Sequence, residues 1–294
     1  MGEDVAGRAE VPAITGAYRE IIAAVPPGQE GAWFTNDHCL FQDETGRWHS
    51  IGINDPMLDD LGELYREHPY LLHATADAPA GPWTREGWAL DDSAGERYVG
   101  APFVVRHEGR YVMMFEAMWD GRRGLELAYS DDLATWERTR REVATNQAPM
   151  RRDPCILRDE ESGDWMIYLC VPAGETSTIS VCRTTDFERF SEGRVVVSLA
   201  DGCPWGSLES PFVIRRKGVW YLAFTHSMHH YRETVVLASD RGDAFSWNAQ
   251  VATLHAHAAE FAEAAGRWWI TTCGPEDRRR NNRHGIEIAP LEWF

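Results

Sequence analysis

The chain has 294 residues, 44% of them hydrophobic, with 13 Trp and 9 Tyr; that is enough apolar material for one large core and unusually rich in flat side chains. Its 29 basic and 46 acidic residues leave a net charge of −17, which excludes the electrostatic footprint of a nucleic-acid or anionic-membrane binder. The six cysteines form no C-x-x-C pair, so no zinc site of the usual spacing is signalled.

The start, Met1-Gly2-Glu3-Asp4, has neither the basic nor the apolar region of a signal peptide, and no apolar run reaches membrane-spanning length. A soluble, cytoplasmic protein is expected. Residues 1–30 read as an N-terminal extension with one short helix, Ala17–Ala24, closed by Pro26-Pro27-Gly28.

From residue 31 to 294 a repeat appears. Its first half is an apolar strand, a Gly-containing turn and an aromatic strand. Copies run through His38–Ile53, Ala101–Phe115, Met150–Cys170, Ser210–Phe224 and Ala258–Thr271. Its second half is another strand leading through an acidic turn to an aromatic, as in Leu71–Trp83, Leu125–Trp136, Ile179–Phe190 and Val235–Trp247. The fifth unit keeps only Gly285–Leu291. Self-similarity at about fifty residues with four strands per unit predicts a propeller. The expected fold is all-β: a five-bladed β-propeller as a single domain over 31–294, with the short helical extension ahead of it.

In a propeller the first strand of each blade lines the central channel. The repeats place Asp37, Gly100-Ala101-Pro102, Arg152-Asp153-Pro154, Glu209-Ser210-Pro211 and His257-Ala258-Ala259-Glu260 at its mouth. Carboxylates converging from separate strands suit glycoside cleavage. One acid protonates the leaving oxygen, while an ionised partner attacks the anomeric carbon or activates water.

These residues carry a family resemblance. Trp33-x-x-Asn36-Asp37, Arg152-Asp153-Pro154 and Glu209-x-Pro211 resemble the motifs of the five-bladed propeller glycosidases, glycoside hydrolase families 32 and 43 and their relatives. The resemblance implies Asp37 as nucleophile or general base, Glu209 as general acid and Asp153 as the acid that orients the sugar and tunes its neighbour. Arg152 would hold a sugar hydroxyl or Asp153 itself through its fork of donors. The chain departs from the fructofuranosidase pattern at His38-Cys39 and at Ser210, and no counterpart of their C-terminal β-sandwich is expected within these 294 residues.

Further candidates for the sugar-binding wall are Trp33, Asn36, His38, Trp205, His226, His257 and Glu260. No cofactor is required by this chemistry and no transition-metal set is signalled. Some related propellers carry a central calcium near a blade-five histidine, which makes His257 an indirect contact for such an ion. The expected function is hydrolysis of a fructofuranoside, an arabinofuranoside or a related small glycoside. The rivals are a transglycosidase, a biosynthetic enzyme using the same acids on a non-glycoside, and a non-catalytic carbohydrate-binding propeller.

Overall fold

A computed structural model of the chain describes residues 7–57, 69–91, 93, 97–119, 122–143, 151–173, 176–198, 206–227, 231–274 and 285–294. After strands β1 (Pro12–Ile14) and β2 (Arg19–Ile22), four sheets follow in sequence. Blade one holds β3 (Trp33–Gln42), β4 (Trp48–Pro56), β5 (Leu71–Ala76) and β6 (Thr84–Leu90). Blade two holds β7 (Val99–His107), β8 (Arg110–Trp119), β9 (Arg122–Ser130) and β10 (Glu137–Arg138). Blade three holds β11 (Arg152–Arg158), β12 (Trp165–Ala173), β13 (Thr176–Thr184) and β14 (Arg194–Ser198). Blade four holds β15 (Leu208–Arg216), β16 (Val219–His226), β17 (Thr234–Ser239) and β18 (Gln250–Leu254).

The fifth blade closes the ring. It is built from β19 (Phe261–Ala264), β20 (Arg267–Thr272) and β21 (Ile286–Trp293), and its outer edge is completed by β1 and β2, both antiparallel to β21. Reciprocal bonds between Val11 and Phe294, at 2.8 and 3.1 Å, extend the seam. Glu10 then reaches blade four, with 2.8 Å to Arg216 and 2.7 Å to Lys217. The helix expected over Ala17–Ala24 is absent, and the described residues contain no α-helix. Arg19 pairs with Ile288 and Ile22 with Ile286; the open edge of β21 offers a backbone ladder that outweighs local helix preference.

The blades pack face to face, so a middle strand is covered on both sides. Every residue of β5, β16 and β17 is buried, which is why these strands carry apolar residues on both faces rather than in strict alternation. The core is a set of inter-blade layers. Ile51 and Leu71 meet Met113 and Phe115; Met114 and Leu125 meet Ile167 and Leu169. Tyr168, Leu222, Phe224 and Ile270 join blades three, four and five, and Leu72 meets Ile22, Cys273 and Ile286 across the closing seam. Each such side chain contributes roughly 1.5–3 kcal/mol on burial.

The innermost strands share one irregularity. In blades one to four the register shifts once, between Thr35 and His38, Gly100 and Phe103, Arg152 and Cys155, and Glu209 and Phe212. Three of these bulges contain a proline (Pro102, Pro154, Pro211), tolerated there because a bulge frees a ladder position from needing an N–H. The residue ahead of each proline is left-handed: Ala101 at φ 40, Asp153 at 54 and Ser210 at 51. Such backbone costs of order 1–3 kcal/mol per residue and gathers at functional sites.

Candidate active site

Strand register puts the three acids on successive steps rather than on one ring. Glu209 occupies the last paired position before its bulge, equivalent to Arg152 and Gly100. Asp153 is the first bulged residue, equivalent to Ser210 and Ala101, while Asp37 is the second in its own blade, equivalent to Pro154 and Pro211. The bulges offset the steps so that all three carboxyls line one cavity of about 470 Å³, together with Asn36, Tyr98, Glu116, Arg123, Arg152 and Tyr231.

Two residues tie the acids together. Ser210 donates its hydroxyl to Asp37 Oδ1 and its backbone N–H to Asp153 Oδ2 at 2.9 Å. Arg152 spans the other pair, with Nη1 3.0 Å from Asp153 Oδ2 and Nη2 3.6 Å from Glu209 Oε1. Of the two carboxylates, Asp153 has the closer contact with Arg152. Arg152 also donates to the Leu208 carbonyl at 3.1 Å, which fixes its fork.

Burial, then the negative charge of Asp153 and Glu209, pushes the Asp37 carboxyl up to about 7; the Ser210 hydroxyl and Arg152 pull the other way. Asp37 therefore changes charge near neutrality, where a base or nucleophile can be switched on. Asp153 is buried, and its carboxylate is also within hydrogen-bonding contact of the Cys170 thiol, which burial and that charge push well above the ordinary range.

The other expected residues divide. His257, fully buried, presents Nε2 to Asn36 Oδ1 at 3.0 Å and stacks under Tyr231 with ring centroids 3.9 Å apart. It shapes the cavity wall through Asn36. Gly274 (φ 73) makes this possible, since a Cβ there would lie 2.8 Å from Asn36 Oδ1 and 2.9 Å from His257 Cδ2. His38 and Glu260 line a second space of about 280 Å³ deeper along the axis, with Asp37, Pro102, Pro154 and Pro211. Trp33 packs on Trp88 and Tyr70, and His226 lies edge-on to Trp247; neither lines these two cavities. Trp205 lies outside the described residues.

Sequence reasoning missed Tyr98, Glu116, Arg123 and Tyr231. One signal was available for Glu116, a lone acid inside the apolar run Tyr111-Val112-Met113-Met114-Phe115-Glu116-Ala117, where a buried acid needs a reason.

In the deeper space His38 Nδ1 and Glu260 Oε2 are buried without a hydrogen-bond partner. Burial drives His38 down to about 3, while burial and then the Asp37 charge raise Glu260 well above the carboxylate range. Calcium takes six to eight oxygens. Here the residues lining the space that carry side-chain oxygens are Asp37, Asp153, Ser210 and Glu260, and among the described residues no three His, Cys, Asp or Glu converge as ligands. The residues present do not form a calcium shell of their own.

Fold and site together define a five-bladed propeller with a carboxylate-lined cavity at one end of its axis, and solved structures of similar fold include glycoside hydrolases of families 43, 117 and 32. By sequence the chain matches no protein-family model and no curated protein. By structure it is similar to a family-43 β-xylosidase/α-arabinofuranosidase from a compost microbial metagenome, solved with xylotriose in a calcium-free form, at TM-score 0.68 and 15% identity over 95% of each chain. A family 117 glycoside hydrolase from Zobellia galactanivorans gives TM-score 0.72 at 12% identity, covering 96% of this chain and 90% of that one. An endo-arabinase from Bacteroides thetaiotaomicron gives 0.67 at 16% identity, covering 92% and 96%. At these identities the shared property is the fold.

Proposed function

We propose that the protein is a glycoside hydrolase acting on a furanoside or a related small glycoside, with Glu209 as general acid, Asp37 as base or nucleophile and Asp153 as the orienting acid. The observation that carries this reading is the shared tether: Ser210 holds Asp37 and Asp153, while Arg152 holds Asp153 and Glu209, in one cavity of about 470 Å³. Propellers of like fold include one solved with xylotriose and an endo-arabinase, which supports a pentose-containing substrate.

In this scheme Glu209 gives its proton to the glycosidic oxygen as the bond to the anomeric carbon breaks. The carbon is then taken either by water, whose proton passes to Asp37, or by Asp37 itself, with water releasing the sugar in a second step. No step calls for a metal or cofactor. The five described cysteines are buried and form no disulfide with one another, which suits the reducing, cytoplasmic setting proposed here.

The test is a screen of aryl furanosides and pyranosides, followed by Glu209→Gln and Asp37→Asn. Each variant should lose about 10²–10⁴-fold in kcat while keeping the wild-type circular dichroism. NMR of the first-formed anomer then assigns Asp37 as base or nucleophile. Wild-type rates in either folded variant refute the assignment.

A further inference from the structure

Blade two breaks the pattern of its neighbours. Its innermost strand brings Gly100-Ala101-Pro102 to the cavity, with no polar side chain. The residue paired with Gly100 across the ladder is Glu116 on β8, which is buried and lines the cavity beside Asp153, Arg152 and Glu209. The acid that the first strand lacks is supplied by the second. Gly100 is what leaves room for it: a Cβ at that position would sit 3.0 Å from the Tyr98 hydroxyl, and that hydroxyl donates to Glu116 Oε2 at 3.2 Å.

Glu116 is joined to Asp153 twice. Its Oε1 accepts the backbone N–H of Asp153 at 3.3 Å, at the left-handed residue whose φ is 54. Its carboxyl also lies close enough to the Asp153 carboxylate for that charge to favour the protonated form of Glu116. Two carboxyls in contact cannot both be ionised without strong repulsion, so one keeps a proton. Asp153 already receives Arg152 and the Ser210 N–H, so the proton belongs on Glu116.

The groups facing Glu116 agree with this. Tyr98 comes from the segment before β7, Arg123 from β9, and Arg152 and Asp153 from β11. The Arg123 guanidinium lies 4.0 Å from the Tyr98 ring centroid, over its face. Burial, then the charge of Asp153, raises Glu116 to about 8 against the opposing pull of the two arginines.

We propose that Glu116 is a positioning residue of the site, a protonated carboxyl that donates to the Asp153 carboxylate and accepts from the Asp153 N–H. It thereby holds the strained bulge in the geometry that lets Asp153 orient the sugar. This deepens the glycosidase reading, and its kinetic arm rests on that reading; its spectroscopic arm does not.

The experiment compares wild type, Glu116→Ala and Glu116→Gln on the aryl glycoside that wild type turns over best. A displaced Asp153 should cost Glu116→Ala about 100-fold in kcat with KM within about threefold. Glutamine keeps an amide donor and an acceptor where the protonated acid had them, so Glu116→Gln should restore kcat to within about fivefold of wild type. In parallel, infrared difference spectra are recorded across a pH titration of wild type and Glu116→Gln. A protonated-carboxyl band that disappears near pH 8 in wild type should be missing from the variant.

The proposal is overturned if Glu116→Gln is as inactive as a folded Glu116→Ala, or if Glu116→Ala keeps wild-type kcat. It is also overturned if the protonated-carboxyl band that disappears near pH 8 is still present in Glu116→Gln. Should Glu116→Ala not fold, Glu116→Gln still decides through both arms. Should wild type cleave no glycoside, the glycosidase reading falls and the infrared titration alone decides whether Glu116 carries the proton.

Discussion

The Ser210 hydroxyl is the main device keeping Asp37 ionisable near neutral pH, and with Asp37 as the base or nucleophile proposed above, removing it should move the acid limb of turnover. Ser210→Ala deletes the donor to Asp37 Oδ1 and keeps the N–H that holds Asp153. The backbone tolerates alanine there, because Ala101 occupies the equivalent bulge position of blade two at φ 40. A hydrogen bond to a charged group is worth about 1.5–3 kcal/mol, and about 1.4 kcal/mol corresponds to one pH unit. Asp37 is only partly buried, so the lower end applies: a rise of about one unit. The acid limb of kcat/KM should therefore move from about 7 to roughly one unit higher. At pH 6 this is about a tenfold further loss, with the alkaline-side plateau nearly unchanged. The assay is a pH profile of kcat/KM on an aryl glycoside, with thermal unfolding as a control. An unmoved limb, or one moved downward, refutes the account of how Asp37 is held.

Two further expectations concern the scaffold. Arg138 and Glu126 form a buried pair at 3.2 Å, with side chains 6% and 0% exposed, and Arg138 also lies over the Phe115 ring at 5.1 Å. Arg138→Ala leaves Glu126 without its counter-charge, and urea unfolding should show a loss of about 3–5 kcal/mol; a loss under about 1 kcal/mol would contradict the pairing argument. In blade one, His49 Nδ1 is 2.8 Å from His73 Nε2, and His49 Nε2 is 3.2 Å from Asp43. Burial, then the charge of His49, lowers His73 to about 4, below its ordinary 6.5. The neutral ring is thus favoured in the fold: its contribution is complete above about pH 6.5 and is lost as pH falls through about 4. The stability difference between wild type and His73→Asn should shrink by about 3 kcal/mol from pH 7 to pH 4. Equal differences at the two pH values would remove the linkage.

The blades were legible because each repeats one pattern: a Gly turn between apolar strands, then an acidic turn before an aromatic. The three acids were legible because each sits beside a bulge that recurs at the same place in the repeat. The helix over Ala17–Ala24 was misread for the opposite reason. That segment has no repeat partner in the sequence, and the partner that makes it a strand, β21, lies more than 260 residues away, as in the pairing of Arg19 with Ile288. Trp33 shows the same limit from another side. Its motif places it near the site, yet it packs on Trp88 and Tyr70, a choice made by side chains of other strands.

Period and turn chemistry are local properties, so the sequence by itself determined five blades, their order and the carboxylates at the channel mouth. Which acid meets which, and through what, was decided only in three dimensions. Ser210 bridges Asp37 from 173 positions away, and Glu116 reaches the Asp153 backbone from 37 positions away. Charge and hydrogen bonding act over a few ångströms whatever the chain separation. The chemistry of the site therefore belongs to the closed ring, and no blade contains it alone.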